Sequence, residues 1–311
     1  LPGTDLLNVS GLTGTGTITN VISGTAFGIG STYASLIDID AGNLAALTLN
    51  LNGGGSSIAR ATFDIEDTDL ITALTVNANA STSVNLNTNA VEFAGIALAG
   101  SGNVTIFDAS ANIIDANITA PALTYTGVFT LRPTDTSAVA AYDFTEATQD
   151  VVGLDVFDMS TADGLATGTT ITMPTVTTGG SLTVTHAPAA SAPLGSGANA
   201  ADLTIVQSGA STADAVTLSL GANSTGTLLG DIVASNTDTF TISSAAAAAS
   251  TTTIDDVTIA GGAGTQSIIV SGAGGFSLGD LNAEIVSTAG VVGAVSITSL
   301  TNAVGSTTFT G

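Results

Sequence analysis

From end to end the chain carries one short signal, a pulse in which apolar and small polar residues alternate. Leu74-Thr75-Val76, Val84-Asn85-Leu86, Val91-Glu92-Phe93 and Val104-Thr105-Ile106 form a dense series. The same pulse returns at Leu182-Thr183-Val184, Val216-Thr217-Leu218, Phe240-Thr241-Ile242 and Val295-Ser296-Ile297. Alternation at period two sends Leu74 and Val76 to one face of a strand and Thr75 to the other. Each pulse is long enough for a short strand and too short for a helix. No segment sustains a period of 3.6, so the chain is predicted to be all-β.

Two all-β architectures compete. In a parallel β-helix (β-solenoid) of short strands, each coil stacks on the last and no aromatic-centred globule is required. In tandem β-sandwiches, hairpin turns of Asn-Gly or Asp-Gly type recur. Asn52-Gly53 and Asp163-Gly164 are the only such dipeptides, aromatics make up 4% of the chain and Trp is absent. The solenoid is therefore expected, in two segments (1–184 and 201–311) joined by a Pro/Ala/Gly/Ser-rich linker or loop over 185–200. Larger side chains cluster between Leu123 and Asp163 and mark a wider coil, a bend or a domain junction. Asn77, Asn79, Asn85, Asn87 and Asn89 suit ladders inside turns. Ala245 to Ala249 is expected to be a tightly packed extended segment.

Charge restricts function more sharply than fold. Twenty-five acidic residues face only Arg60 and Arg132, a formal net charge of −23. Nucleic acid binding needs a basic surface and is excluded as an expectation. Anionic membranes are disfavoured for the same reason, and no run approaches the roughly 18 apolar residues of a membrane span. With so few cations, the carboxylates must stay solvated or bind metal. Short Asp carboxylates in turns suit the hard, oxygen-seeking Ca²⁺ ion, although Asp is also an ordinary turn residue. The candidate ligands are Asp38 and Asp40 on one strand face, the acidic run Asp64, Glu66, Asp67 and Asp69, the looser set Asp155, Asp158 and Asp163, and the adjacent Asp255 and Asp256.

Catalytic constellations are not expected. His186 is the single histidine and stands by the Pro-rich segment; Cys and Lys are absent, as are a phosphate-binding loop and an HExxH pair. Asp155 and Asp158 flank Phe157 without the aromatic lining of a sugar cleft. Gly261-Gly262-Ala263-Gly264-Thr265-Gln266-Ser267-Ile268-Ile269 fits the calcium-roll nonapeptide G-G-x-G-x-D-x-U-x except that Gln266 replaces Asp. A turn that lacks calcium is expected there. The chain opens at Leu1-Pro2-Gly3, and any export signal or anchor is expected outside it.

This Ala/Gly/Thr/Asp-rich, Lys-free and Cys-free texture resembles the S-layer proteins that Gram-negative bacteria export by type I secretion. So do the pulse Gly153-Leu154-Asp155-Val156-Phe157-Asp158-Met159-Ser160 and the near-nonapeptide at Gly261. The resemblance implies a calcium-dependent, β-helical, self-assembling lattice at the cell surface. Its partner would be further copies of itself, with cell-surface polysaccharide as an additional candidate. An adhesin stalk or autotransporter passenger has similar texture and is the alternative.

Overall fold

The computed structural model describes residues 5–8, 14–22, 35–40, 44–53, 60–66, 73–78, 83–87, 95–108, 118–119, 125–133, 141–143, 145–146, 149–158, 169–175, 181–186, 201–208, 214–222, 228–260, 263–302 and 307–311. Among them there is no helix, and the strands lie in parallel sheets: the fold is all-β and solenoid-like. The chain divides into two compact units, residues 1–134 with 146–155, and residues 135–145 with 156–311. That division falls within the stretch where the larger side chains cluster.

In the first unit the chain alternates between two sheets. One holds β1 (Asp5–Asn8), β3 (Ser35–Asp40), β5 (Arg60–Glu66), β7 (Ser83–Asn87), β9 (Asn103–Asp108) and β11 (Phe129–Pro133). The other holds β2 (Gly14–Ile22), β4 (Leu44–Gly53), β6 (Ala73–Ala78), β8 (Ile96–Gly100), β10 (Ile118–Thr119) and, from later in the chain, β14 (Gln149–Val152). Parallel pairing in register turns alternation within each strand into columns across strands. Val84, Val104 and Phe129 form one column, and Leu86, Ile106 and Leu131 the next but one. In the facing sheet Leu47, Leu74 and Ile96 align, as do Leu49, Val76 and Leu98. Val104, Ile106, Phe129 and Leu131 are buried, as is every member of the second sheet's two columns. Burying each such side chain stabilises the stack by roughly 1.5–3 kcal/mol.

After β12 (Ala141–Asp143) and β13 (Thr145–Glu146), the second unit repeats the arrangement. Its first sheet contains β15 (Val156–Asp158), β17 (Ser181–His186), β19 (Ala215–Leu220), β21 (Thr239–Ser244), β24 (Ser267–Gly272), β26 (Ile285–Val291) and β28 (Thr308–Thr310). Its second sheet contains β12, β16 (Thr169–Thr175), β18 (Ala201–Ser208), β20 (Leu228–Ser235), β22 (Thr251–Ile254), β23 (Val257–Ala260), β25 (Gly275–Asn282) and β27 (Val295–Thr301). Leu182, Val216, Phe240, Ile268 and Val286 make one buried column; Val184, Leu218, Ile242 and Val270 make another. β12 is tied in where Tyr142 meets Phe157 edge to face, with ring centroids 4.9 Å apart. β22 and β23 are two pieces of one coil's strand, for β20 and β25 each pair with both.

Three local expectations change. Asn77 does form a ladder, its Nδ2 donating to Asn50 Oδ1 at 2.5 Å, but both residues lie inside paired strands rather than in turns. The outward period-two position of β4 and β6 gives stacked amides the same coil-to-coil repeat that a turn would. Ala245 to Ala249 is a corner and not an extended segment. Ala246 is buried inside it while Ser250 N–H closes a turn on Ala247 O at 2.9 Å. Thr185 and His186 complete β17 instead of opening the Pro-rich stretch; residues 187–200 lie outside the described residues, and β17 and β18 on either side belong to the same unit.

Column packing leads to a direct test. Phe240→Ala, inside a column with buried neighbours above and below, is expected to lower unfolding stability by about 3–5 kcal/mol. Thr241→Ala, one residue on and facing outward, is expected to stay within about 0.5 kcal/mol. Urea titration followed by circular dichroism measures both.

Candidate functional site

The acidic residues are the chemistry this chain offers, and the strand register decides which of them meet. In the first unit Asp38 pairs with Asp64, and Asp40 with Glu66. Four of the sequence's candidate ligands thus occupy two columns of adjacent strands, about 4.8 Å apart at the backbone. Like charges placed directly opposite one another repel, and a bound or diffuse cation relieves that. Asp67, Asp69 and Asp163 lie outside the described residues.

Asp155 serves the backbone. Its Oδ2 accepts the Phe129 N–H at 2.8 Å while its own N–H donates to Phe129 O at 3.1 Å. Burial pushes the Asp155 carboxyl above the usual range, and the Phe129 N–H draws it partway back. Nearby, the Tyr125 hydroxyl lies 3.0 Å from both the Gly102 and Val128 carbonyl oxygens. Burial pushes its pKa well up, a backbone hydrogen bond offsets part of this, and the charge on Asp155 adds to the rise. The phenol stays protonated and bridges two turns of chain. Asp158 is half-buried on β15, three residues along.

Asp255 and Asp256 occupy the break between β22 and β23. Ile232 pairs with Val257 and Val257 with Leu281, so Asp256 stands in line with Asp231 below it and Asp280 above it. Asp256 Oδ1 accepts the Asp280 N–H at 2.7 Å, and Asp280 Oδ1 accepts the Ser299 hydroxyl at 2.6 Å. Asp255 is exposed, and its carbonyl accepts the Gly279 N–H at 2.7 Å. A Cβ on Gly279 would come within 2.5 Å of both Asp255 O and Asp256 Oδ1, so this crossing requires glycine. Among the described residues, no three acidic, His or Cys side chains gather where one metal ion could be held.

Two acids that sequence reasoning passed over are the most buried among the described residues. Asp214 and Asp238 are 2% and 3% exposed, each immediately before a strand of the first sheet. A signal was present: in Asp214-Ala215-Val216 and Asp238-Thr239-Phe240 the Asp falls in step with the inward apolar residues. Asp238 links three coils. Its Oδ2 accepts the Asp214 N–H at 3.0 Å and its Oδ1 accepts the Gly264 N–H at 2.6 Å. Gly264 belongs to the near-nonapeptide, whose Gln266 takes the position before β24 that Asp238 takes before β21 and Glu284 before β26.

The raised pKa of Asp155 sets the sign of a pH effect. A carboxyl whose folded pKa lies above its unfolded value of about 3.9 contributes most below that value, and the contribution is lost as pH rises through the folded pKa. Asp155→Asn keeps an oxygen acceptor for Phe129 N–H and removes the charge. The variant is expected to match the wild type near pH 3 and to become the more stable of the two as pH climbs to 7. Asp155→Ala loses the hydrogen bond and is expected to be less stable by about 1 kcal/mol at pH 3. Thermal unfolding of all three between pH 3 and pH 8 measures this.

No family model, no curated protein and no solved structure matches the chain.

Proposed function

We propose that this chain is a structural cell-surface protein that self-assembles into a lattice, sheath or filament, with Ca²⁺ neutralising its outward carboxylates. The observation that carries the reading is a net charge of −23 set on a parallel solenoid. Such a stack repeats its surface coil after coil, so an acidic position in one coil adjoins the same position in the next. The columns Asp38/Asp64 and Asp40/Glu66 and the line Asp231, Asp256, Asp280 are of this kind. Protomers of this charge repel one another. Divalent ions shared between facing carboxylates turn that repulsion into attachment.

Negative-stain microscopy of the purified protein with Ca²⁺ and with excess EGTA tests the reading. Ordered sheets or filaments that dissolve on chelation and return with Ca²⁺ are expected. Order that survives chelation would leave the structural role and remove calcium as its glue. Monodisperse particles under both conditions would sink self-assembly and favour an adhesin stalk.

A further inference from the structure

Two coils of the second unit bring buried, oxygen-bearing side chains toward one corner, which on the later coil is the turn Asn236-Thr237. Ala215 pairs with Thr239, so the preceding Asp214 and Asp238 occupy equivalent positions on adjacent coils, about 4.8 Å apart at the backbone. Both are buried, and both are in step with inward residues, Val216 and Leu218 for one, Phe240 and Ile242 for the other. Gln207 approaches from the opposite sheet. It is the last inward residue of β18, in step with Leu203 and Ile205. Asn236 ties the pieces together, its Nδ2 donating to Gln207 O and its N–H to Ala260 O, each at 2.6 Å. Asn236 has φ 57° and opens the short turn to Asp238.

The Gln207 side chain is completely buried, and neither its Oε1 nor its Nε2 has a hydrogen-bond partner. A buried amide left without partners is destabilising, and in native proteins such a group calls for a bound ion, water or other occupant. The neighbouring charge identifies which. Two buried carboxylates on adjacent coils repel unless a proton or a cation stands between them. The second unit contains no Lys or Arg, both arginines of the chain being Arg60 and Arg132.

We propose that the inside of this corner is a calcium site formed by the Asp214 and Asp238 carboxylates and the Gln207 side-chain carbonyl. Two carboxylates and an amide carbonyl are hard oxygen donors of charge −2, which suits a divalent ion. Three such donors from separate strand ends suit Ca²⁺, which accepts six to eight ligands in flexible geometry, over Mg²⁺, which demands a near-ideal octahedron. The site is separate from the outward columns, and it does not rest on the assembly reading, because its readout is the stability of the dilute single chain.

Thermal unfolding of the full chain in EGTA, in CaCl₂ and in MgCl₂ at matched ionic strength tests it. Ca²⁺ at a hundredfold excess over its Kd is expected to raise the Tm by about 5–10 °C, and Mg²⁺ by much less. Gln207→Leu removes one donor and the orphaned amide together. It is expected to be at least as stable as the wild type in EGTA and to lose most of the Ca²⁺ shift. Asp214→Asn is expected to lose that shift too, and if it fails to fold, Gln207→Leu decides alone. Absence of a Ca²⁺ shift in the wild type, an equal shift with Mg²⁺, or a full Ca²⁺ shift retained by Gln207→Leu would each overturn the proposal.

Discussion

Everything in this molecule depends on the parallel, in-register backbone ladder between one coil and the next. Each strand is too short and too poor in large side chains to be stable alone. Pairing in register converts its two or three inward residues into members of columns. The column Val216, Phe240, Ile268, Val286 is continuous apolar packing made from positions far apart in the chain. A slip of one residue would turn every inward side chain of that strand outward. Register is therefore fixed by burial, and the outward surface inherits the same register at no further expense.

That inheritance explains the behaviour of the acids. In a chain with two cationic side chains, ion pairs cannot be the rule, and the described carboxylates turn to backbone N–H groups on neighbouring coils. Asp155 takes Phe129 N–H, Asp256 takes Asp280 N–H, and Asp238 takes both Asp214 and Gly264 N–H. Each hydrogen bond joins one coil to another, although for Asp155 the burial that raises its pKa outweighs what the Phe129 N–H returns to the charged form. Hydrogen bonds from N–H to a carboxylate are charge-assisted and stronger than their neutral counterparts. A solenoid short of salt bridges still has fixed electrostatic staples.

The strands were legible because period two is a local signal, and the choice of solenoid over sandwich was legible from the scarcity of hairpin dipeptides. The coil length was not. Ala215, Thr239, Ser267 and Ile285 share one column, so successive coils take 24, 28 and 18 residues. Corners absorb the difference, and a corner such as Ala245 to Ser250 carries no alternation to reveal it. Without a fixed period, the sequence could not say that Asp38 meets Asp64 or that Asp231, Asp256 and Asp280 align. The acid runs attracted attention because they are dense in sequence, whereas Asp214 and Asp238 are isolated in sequence and adjacent in space. Their parity with the apolar residues was the available clue, and reading it required treating an Asp in step with Val and Phe as inward.

Inward and outward acids obey different physics, although register aligns both. Outward acids such as the exposed Asp231 and Asp280 face water, where mobile ions screen them within about 8–10 Å. Inward acids have no access to that screening. Their charge must be met by groups fixed in the fold or by an ion enclosed with them. On the two proposals made above, a cation acts in two ways that need not share a concentration range. Outside, it would set whether copies adhere; inside, it would set whether adjacent coils hold together. Since the same backbone ladder carries both, loosening a corner from within would disturb the outward columns built on the coils that meet there.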